Sequence, residues 1–128
     1  MSQWWAKYIG TPYAEAHCWE LVRRVYAAER DIDLPTYGEI DAAKLVEVAR
    51  VMAGAIEDAR VAETWVPVTH GEAFDVALLR GRAQVWHVGV MVGPRHMLHT
   101  ERATNAVVVP ISCPLIAGRV TGYRRYIG

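Results

Sequence analysis

The segment QVWHVGVMV-GPR-HMLHT, residues 84–100, constrains the fold more than any other stretch of the chain. Strict alternation puts Trp86, Val88, Val90 and Val92 on one face, all apolar, and Val85, His87, Gly89 and Met91 on the other. That is a strand with one face on a core. Gly93, Pro94 and Arg95 can close a tight loop onto the next run. Val92 then stands opposite His96 and Gly89 opposite His99, which brings His99 to the face of His87, one diagonal step away. A slip of one residue would turn His99 to the other face. An all-helical fold is excluded.

Other strand-like runs surround this hairpin: DVALLR (75–80) before it, AVVVP (106–110) and VTGYRRYI (120–127) after it, separated by Gly, Pro and Asn signals. The N-terminal half has helical spacing instead. Cys18, Leu21, Val22, Val25 and Tyr26 form one stripe at i, i+3, i+4, i+7 and i+8, after Pro12 and before Pro35. A second helix is expected over about 41–59, with Asp41 as cap and Leu45, Val48, Ala49, Met52 and Ile56 as its stripe. Helices first and adjacent strands afterwards predict an α+β fold, N-terminal helices packed on an antiparallel sheet, with 1–128 as a single domain.

Lys+Arg and Asp+Glu number 14 each, so the chain lacks the basic excess of a nucleic-acid binder. It has no apolar run of the ~20 residues that span a membrane, so no membrane insertion is expected. The start, MSQWWAKYIG, lacks the basic, apolar and small-residue regions of a signal peptide. Synthesis in the cytoplasm is the expectation, with any outside action requiring another carrier. Cys18 and Cys113 are too few for a disulfide scaffold.

Cys18 begins the first amphipathic stripe. Backbone N–H groups and the helix dipole stabilise a thiolate at such a position. A nucleophilic thiol also needs an imidazole base and a group to orient it. His87 and His99, on one face of the hairpin, supply candidates for both roles. The competing reading keeps Cys18 as one more apolar stripe residue and the histidines as half-buried strand residues.

These segments, IGTPYAEAHCWELVRRVYAAERDIDLP, FDVALL and HVGVMVGPRHMLHT, resemble the NlpC-type papain-like cell-wall peptidases, most closely the compact members carried by tailed bacteriophages and phage-like tails. The resemblance implies a papain-like fold with Cys18 as nucleophile, His87 as base and His99 as third member. It implies Tyr13 lining the site, and Asp75 leading into the first core strand in a structural role. His17 stands where the family usually has Asp, Glu20 where it has a small residue, and Phe74 where it has Gly. His17 and Trp19 are taken with Tyr13 as substrate-side residues. The implied substrate is the peptidoglycan stem peptide, cut between the γ-carboxyl of D-glutamate and the diamino acid. Tail or baseplate hub proteins are the implied partners. No cofactor is expected. Two alternatives stay open: a tail component that keeps the fold as a docking piece, and a related thiol amidase or acyltransferase.

His17, His96 and His99 raise zinc, but no second cysteine has ligand spacing, and no metal is expected. Trp4, Trp5 and Trp19 are candidates for exposed contact sites. Cys113 reads as a packed thiol and His70 as a surface residue.

Overall fold

A computed structural model of the chain describes residues 3–16, 18–34, 65–80, 86–101 and 104–128. The helix expected over 41–59 lies outside them, as do His17, Gln84 and Val85.

The helix α1 spans Cys18–Arg30 and buries Cys18, Trp19, Leu21, Val22, Val25 and Tyr26. Several of these are middling helix formers, so packing rather than propensity holds the helix. A fully buried Val or Leu contributes about 1.5–3 kcal/mol. The helix ends at Arg30, earlier than Pro35 would demand, because Asp31 takes a left-handed conformation (φ 54°). Asp tolerates that conformation better than most residues. Ile32 N–H then donates back to the Tyr26 carbonyl at 3.1 Å.

Among the described residues six strands form one antiparallel sheet: β1 (Trp65–Val68), β2 (Val76–Arg80), β3 (Trp86–Met91), β4 (His96–Glu101), β5 (Thr104–Pro110) and β6 (Val120–Tyr126). Their order across the sheet is β1-β6-β2-β3-β4-β5. A single-turn helix, α2 (Pro114–Ala117), follows β5, and a 3-10 helix, Trp4–Tyr8, precedes α1. Helical and antiparallel elements together make the fold α+β, as the change of periodicity predicts.

Both faces of the sheet are covered, which is why β2 reads as an unbroken apolar run. Val76, Leu78, Val88, Val90, Val92 and Leu98 join the α1 residues in the larger core. Ala77, Leu79, Met91 and Met97 join Ile116 of α2 in the smaller one, against which Cys113 packs half-buried. Cys18 and Cys113 therefore belong to different cores, and they form no disulfide.

Strand β1, WVPV, lies ahead of the first run that sequence patterning marks as a strand. Among the described residues β1 is an edge strand, bonded on one side to β6 through the Pro67–Arg124 register, a place that tolerates Pro67.

The turn into β2 carries Phe74 with φ 74°, in the left-handed region where the family pattern has glycine. Its ring stacks on Trp4 (4.5 Å, 14°) and lies under the Arg30 guanidinium at 5.0 Å. Phe74 N–H donates to the Met91 carbonyl at 2.7 Å, and the Tyr26 hydroxyl donates to the Phe74 carbonyl. Asp75 is buried and takes Arg125 in a two-pronged ion pair at 3.0 and 2.9 Å, while Glu72 N–H donates to it at 2.8 Å. A buried carboxylate matched this way locks the turn to β6.

Candidate active site

The hairpin register is the one the alternation predicts. Val90 pairs with Leu98 and Met91 with Met97, which sets Gly89 opposite His99, and Val92 N–H donates to the His96 carbonyl at 3.0 Å. His87 and His99 meet as expected: Nε2 of His87 lies 2.8 Å from Nδ1 of His99, with the rings edge-on at 5.1 Å and 67°. Both side chains are buried. The glycine between them is required by space. A Cβ at Gly89 would come within 2.5 Å of Met97 Sδ and 3.1 Å of His99 Cβ.

A ring nitrogen of each histidine is thus engaged, and the bond fixes their tautomers once one is chosen. For Nδ1 of His87 to accept a proton, its Nε2 must carry hydrogen and donate to Nδ1 of His99. The ring is held in that neutral state. Burial, first, and then the nearby charges of His99 and Arg119 push His87 from the usual 6.5 down to about 3.

Cys18 opens α1, which packs on the two strands that carry this pair. It is the first residue of the helix, 1% exposed, and shares a core with Val88 and Leu98, the strand neighbours of His87 and His99. The helix packs on β3 and β4. Its entry is pinned at the β5 side: Gly10 N–H donates to the Ala106 carbonyl at 2.8 Å, and Ala106 N–H donates to Thr11 at 2.9 Å. Ala106 is next to Val107, which pairs with His99. Pro12 then closes a turn, its carbonyl accepting from Glu15 and Ala16 N–H at 3.0 Å each, and Arg24 clamps Glu15 at 3.1 Å. Alternation turns the histidine rings toward the side of Leu79, which pairs with His87, and away from the main α1 core.

Tyr13 is half-buried in the turn before α1. His17 lies outside the described residues. Trp19 is a correction: expected beside the cleft, it is fully buried and sits edge-on to Trp65 at 6.4 Å, so it is core and not a substrate contact. Trp4 and Trp5 are half-buried against the larger core rather than displayed at the surface. Glu20 has a structural partner, Arg23, at 3.0 Å, and Arg23 in turn donates to the Leu34 carbonyl at 2.9 Å. His96 is exposed on the hairpin while His99 is turned in to His87, so the two do not converge as metal ligands would.

Missed by sequence reasoning is Arg119, just before β6. Its Nε donates to the Arg80 carbonyl at 2.7 Å, and it adds, after burial and His99, to the downward push on His87. Only the β2–β6 pairing, invisible in the sequence, brings it there.

A comparison with curated proteins finds no match. The model of the NlpC/P60 family matches residues 7–125, and this protein belongs to that family, whose members are generally cysteine peptidases associated with peptidoglycan.

Proposed function

We propose that the protein is a papain-like thiol hydrolase that cuts peptidoglycan stem peptide, with Cys18 as nucleophile, His87 as base and His99 as its orienting partner. The observation that carries this reading is the 2.8 Å bond between His87 Nε2 and His99 Nδ1, which leaves Nδ1 of His87 as the nitrogen for the thiol. The reading requires Cys18 Sγ and His87 Nδ1 to meet where β3 begins.

Nδ1 takes the Sγ proton and the thiolate attacks the amide carbonyl. The N–H groups of the first turn of α1 stabilise the oxyanion. As the C–N bond breaks, His87 returns the proton to the leaving amine. Water, activated by the same nitrogen, then hydrolyses the thioester and frees the thiol. His99 accepts from Nε2 throughout and stabilises the imidazolium that forms in between.

The bond cut is the amide between the γ-carboxyl of D-glutamate and the diamino acid, with Tyr13 and His17 on the substrate side. The whole of 1–128 acts as one domain, delivered in a phage or phage-like tail and docked on its hub proteins. The support for substrate, bond and tail is the resemblance of the Cys18 and His87 segments to the compact tail-associated members of the family.

Digestion of purified peptidoglycan by wild type and by Cys18→Ala tests the reading. Fragments with a newly freed diamino acid amine, released by wild type alone, are the expected result. No product from either protein, with tail binding retained, establishes the docking alternative instead.

A further inference from the structure

We propose that Gly10 is a positioning residue of the site: its left-handed backbone turns the N-terminal strap onto β5 and so sets where α1, and with it Cys18, begins. The inference rests on the reading of Cys18 as the nucleophile.

The strap runs back alongside α1. The Tyr8 hydroxyl donates to Glu29 at 2.8 Å, and Lys7 pairs with the same carboxylate at 2.6 Å. Glu29 stands in the last turn of α1, about three turns from Cys18. Further along the strap, Arg24 holds Glu15 by its carboxylate at 3.1 Å and by its carbonyl at 3.3 Å. Between these two ties the strap meets the sheet. Gly10 N–H donates to the Ala106 carbonyl at 2.8 Å, and Ala106 N–H donates to the Thr11 carbonyl at 2.9 Å. Ala106 thus faces Gly10 and Thr11 at once, on β5, the last strand of the sheet among the described residues. Its neighbour Val107 pairs with His99 on the inner side. One strand therefore carries the approach to the nucleophile on one edge and the ring that orients the base on the other.

Gly10 makes the bridge possible. Its φ is 91°, a conformation that side chains other than hydrogen rarely allow. Lack of room is not the reason for glycine, because a Cβ there would meet nothing within 4 Å. What a side chain opposes is the conformation itself, and a β-branched residue opposes it most. Relaxing to a negative φ redirects the chain at the Ala106 bridge. The Pro12 turn and the Glu15 tie then pass the shift on to Cys18, and a displacement of about 1 Å at a reacting group costs about a hundredfold in rate.

The test is Cys18 alkylation by iodoacetamide in the full chain, in a Cys113→Ser background, at about pH 7 and a temperature where circular dichroism shows every variant folded. Gly10→Val is expected to slow it by about tenfold or more, toward the rate of a free thiol. Gly10→Asn, whose side chain tolerates the left-handed region better, is expected to stay within about threefold of wild type. A merely structural role would lower the melting temperature of Gly10→Val and leave the folded thiol as reactive as before, and that unchanged rate overturns the proposal. So does an equal slowing in Gly10→Asn, which would tie the effect to the added side chain rather than to the backbone. If Gly10→Val does not fold, Gly10→Ala takes its place, since it adds one methyl group to open space. Its alkylation must be slower than that of Gly10→Asn, and an equal rate overturns the proposal as well. Digestion of peptidoglycan keeps the two readings apart. A wild type that releases no fragments while its thiol still responds to Gly10 removes the hydrolase reading alone. A wild type that digests, with Gly10→Val equally active and equally reactive, removes only the role of Gly10.

Discussion

Nε2 of His87 and Nδ1 of His99, 2.8 Å apart and buried between neighbouring strands, form a bond that ties the tautomers of the two rings together. On the proposed reading His87 donates, and its other ring nitrogen, Nδ1, serves as the thiol base. On the same reading His99 acts on catalysis through His87 rather than on substrate. His99→Ala removes the acceptor and leaves a buried N–H to be satisfied, at a cost of about 1–3 kcal/mol in stability. It is expected to lower kcat by up to about four orders of magnitude, by analogy with loss of the orienting group in other triads. His99→Asn, whose side-chain oxygen can accept from Nε2, should retain much more. Equal losses in both variants, measured as stem-peptide hydrolysis, would argue against an orienting role.

The depressed proton affinity of His87 ties stability to pH. The unfolded chain takes up a proton below about pH 6.5, whereas folded His87 refuses it until about pH 3. Between those values protons favour the unfolded state, so the contribution is whole above pH 6.5 and is lost as pH falls through the window. The slope is up to about 1.4 kcal/mol per pH unit from this one group. Urea unfolding at about pH 7.5 and about pH 5 checks it. His87→Gln should lose less stability between the two values than wild type, and an identical loss would remove the assignment.

Gly89 leaves the room in which the two rings meet. Gly89→Ala drives a methyl group into Met97 Sδ and against His99 Cβ. Overpacking of this kind costs about 1–3 kcal/mol, and His99 must shift to relieve it. Activity is expected to fall further than in Gly93→Ala, whose Cβ would meet nothing. Thermal unfolding and hydrolysis, measured together on both variants, separate a packing defect from loss of the ring contact.

Phe74 stores two opposing effects at one position. A left-handed conformation costs a non-glycine residue about 1–2 kcal/mol, which Phe74→Gly would relieve. The same change removes the ring stacked on Trp4 at 4.5 Å and packed beneath Arg30. Aromatic pairs add about 0.5–1.5 kcal/mol beyond burial, and the half-buried ring adds its own area. The net expectation is destabilisation by about 1–2 kcal/mol. A Phe74→Gly protein more stable than wild type would show that backbone strain dominates.

The parts legible in the sequence are those where one periodicity holds over a whole element. The α1 stripe from Cys18 to Tyr26 and the hairpin register around Gly89 follow from spacing alone, because each has a single apolar face to satisfy. Trp19 departs from the expectation for the opposite reason. It flanks the stripe and is buried by Trp65, which lies in a strand that Pro67 disguises. Arg119 could not be read at all, since its place depends on which strand lies beside β2, and pairing order leaves no mark in local pattern. The unusual Phe74 is explained only by its partners, Trp4 and Arg30, both distant in sequence.

The central claim is that Cys18 is a thiol activated by His87. Its most direct measure is the rate of Cys18 alkylation by iodoacetamide against pH, in a Cys113→Ser background and with His87→Ala beside it. The account predicts that folded Cys18 reacts faster than a free thiol near neutral pH, with a midpoint well below ~8.5, and that His87→Ala abolishes the advantage. A Cys18 that is inert while folded, or that reacts no faster than a free thiol with or without His87, would contradict it.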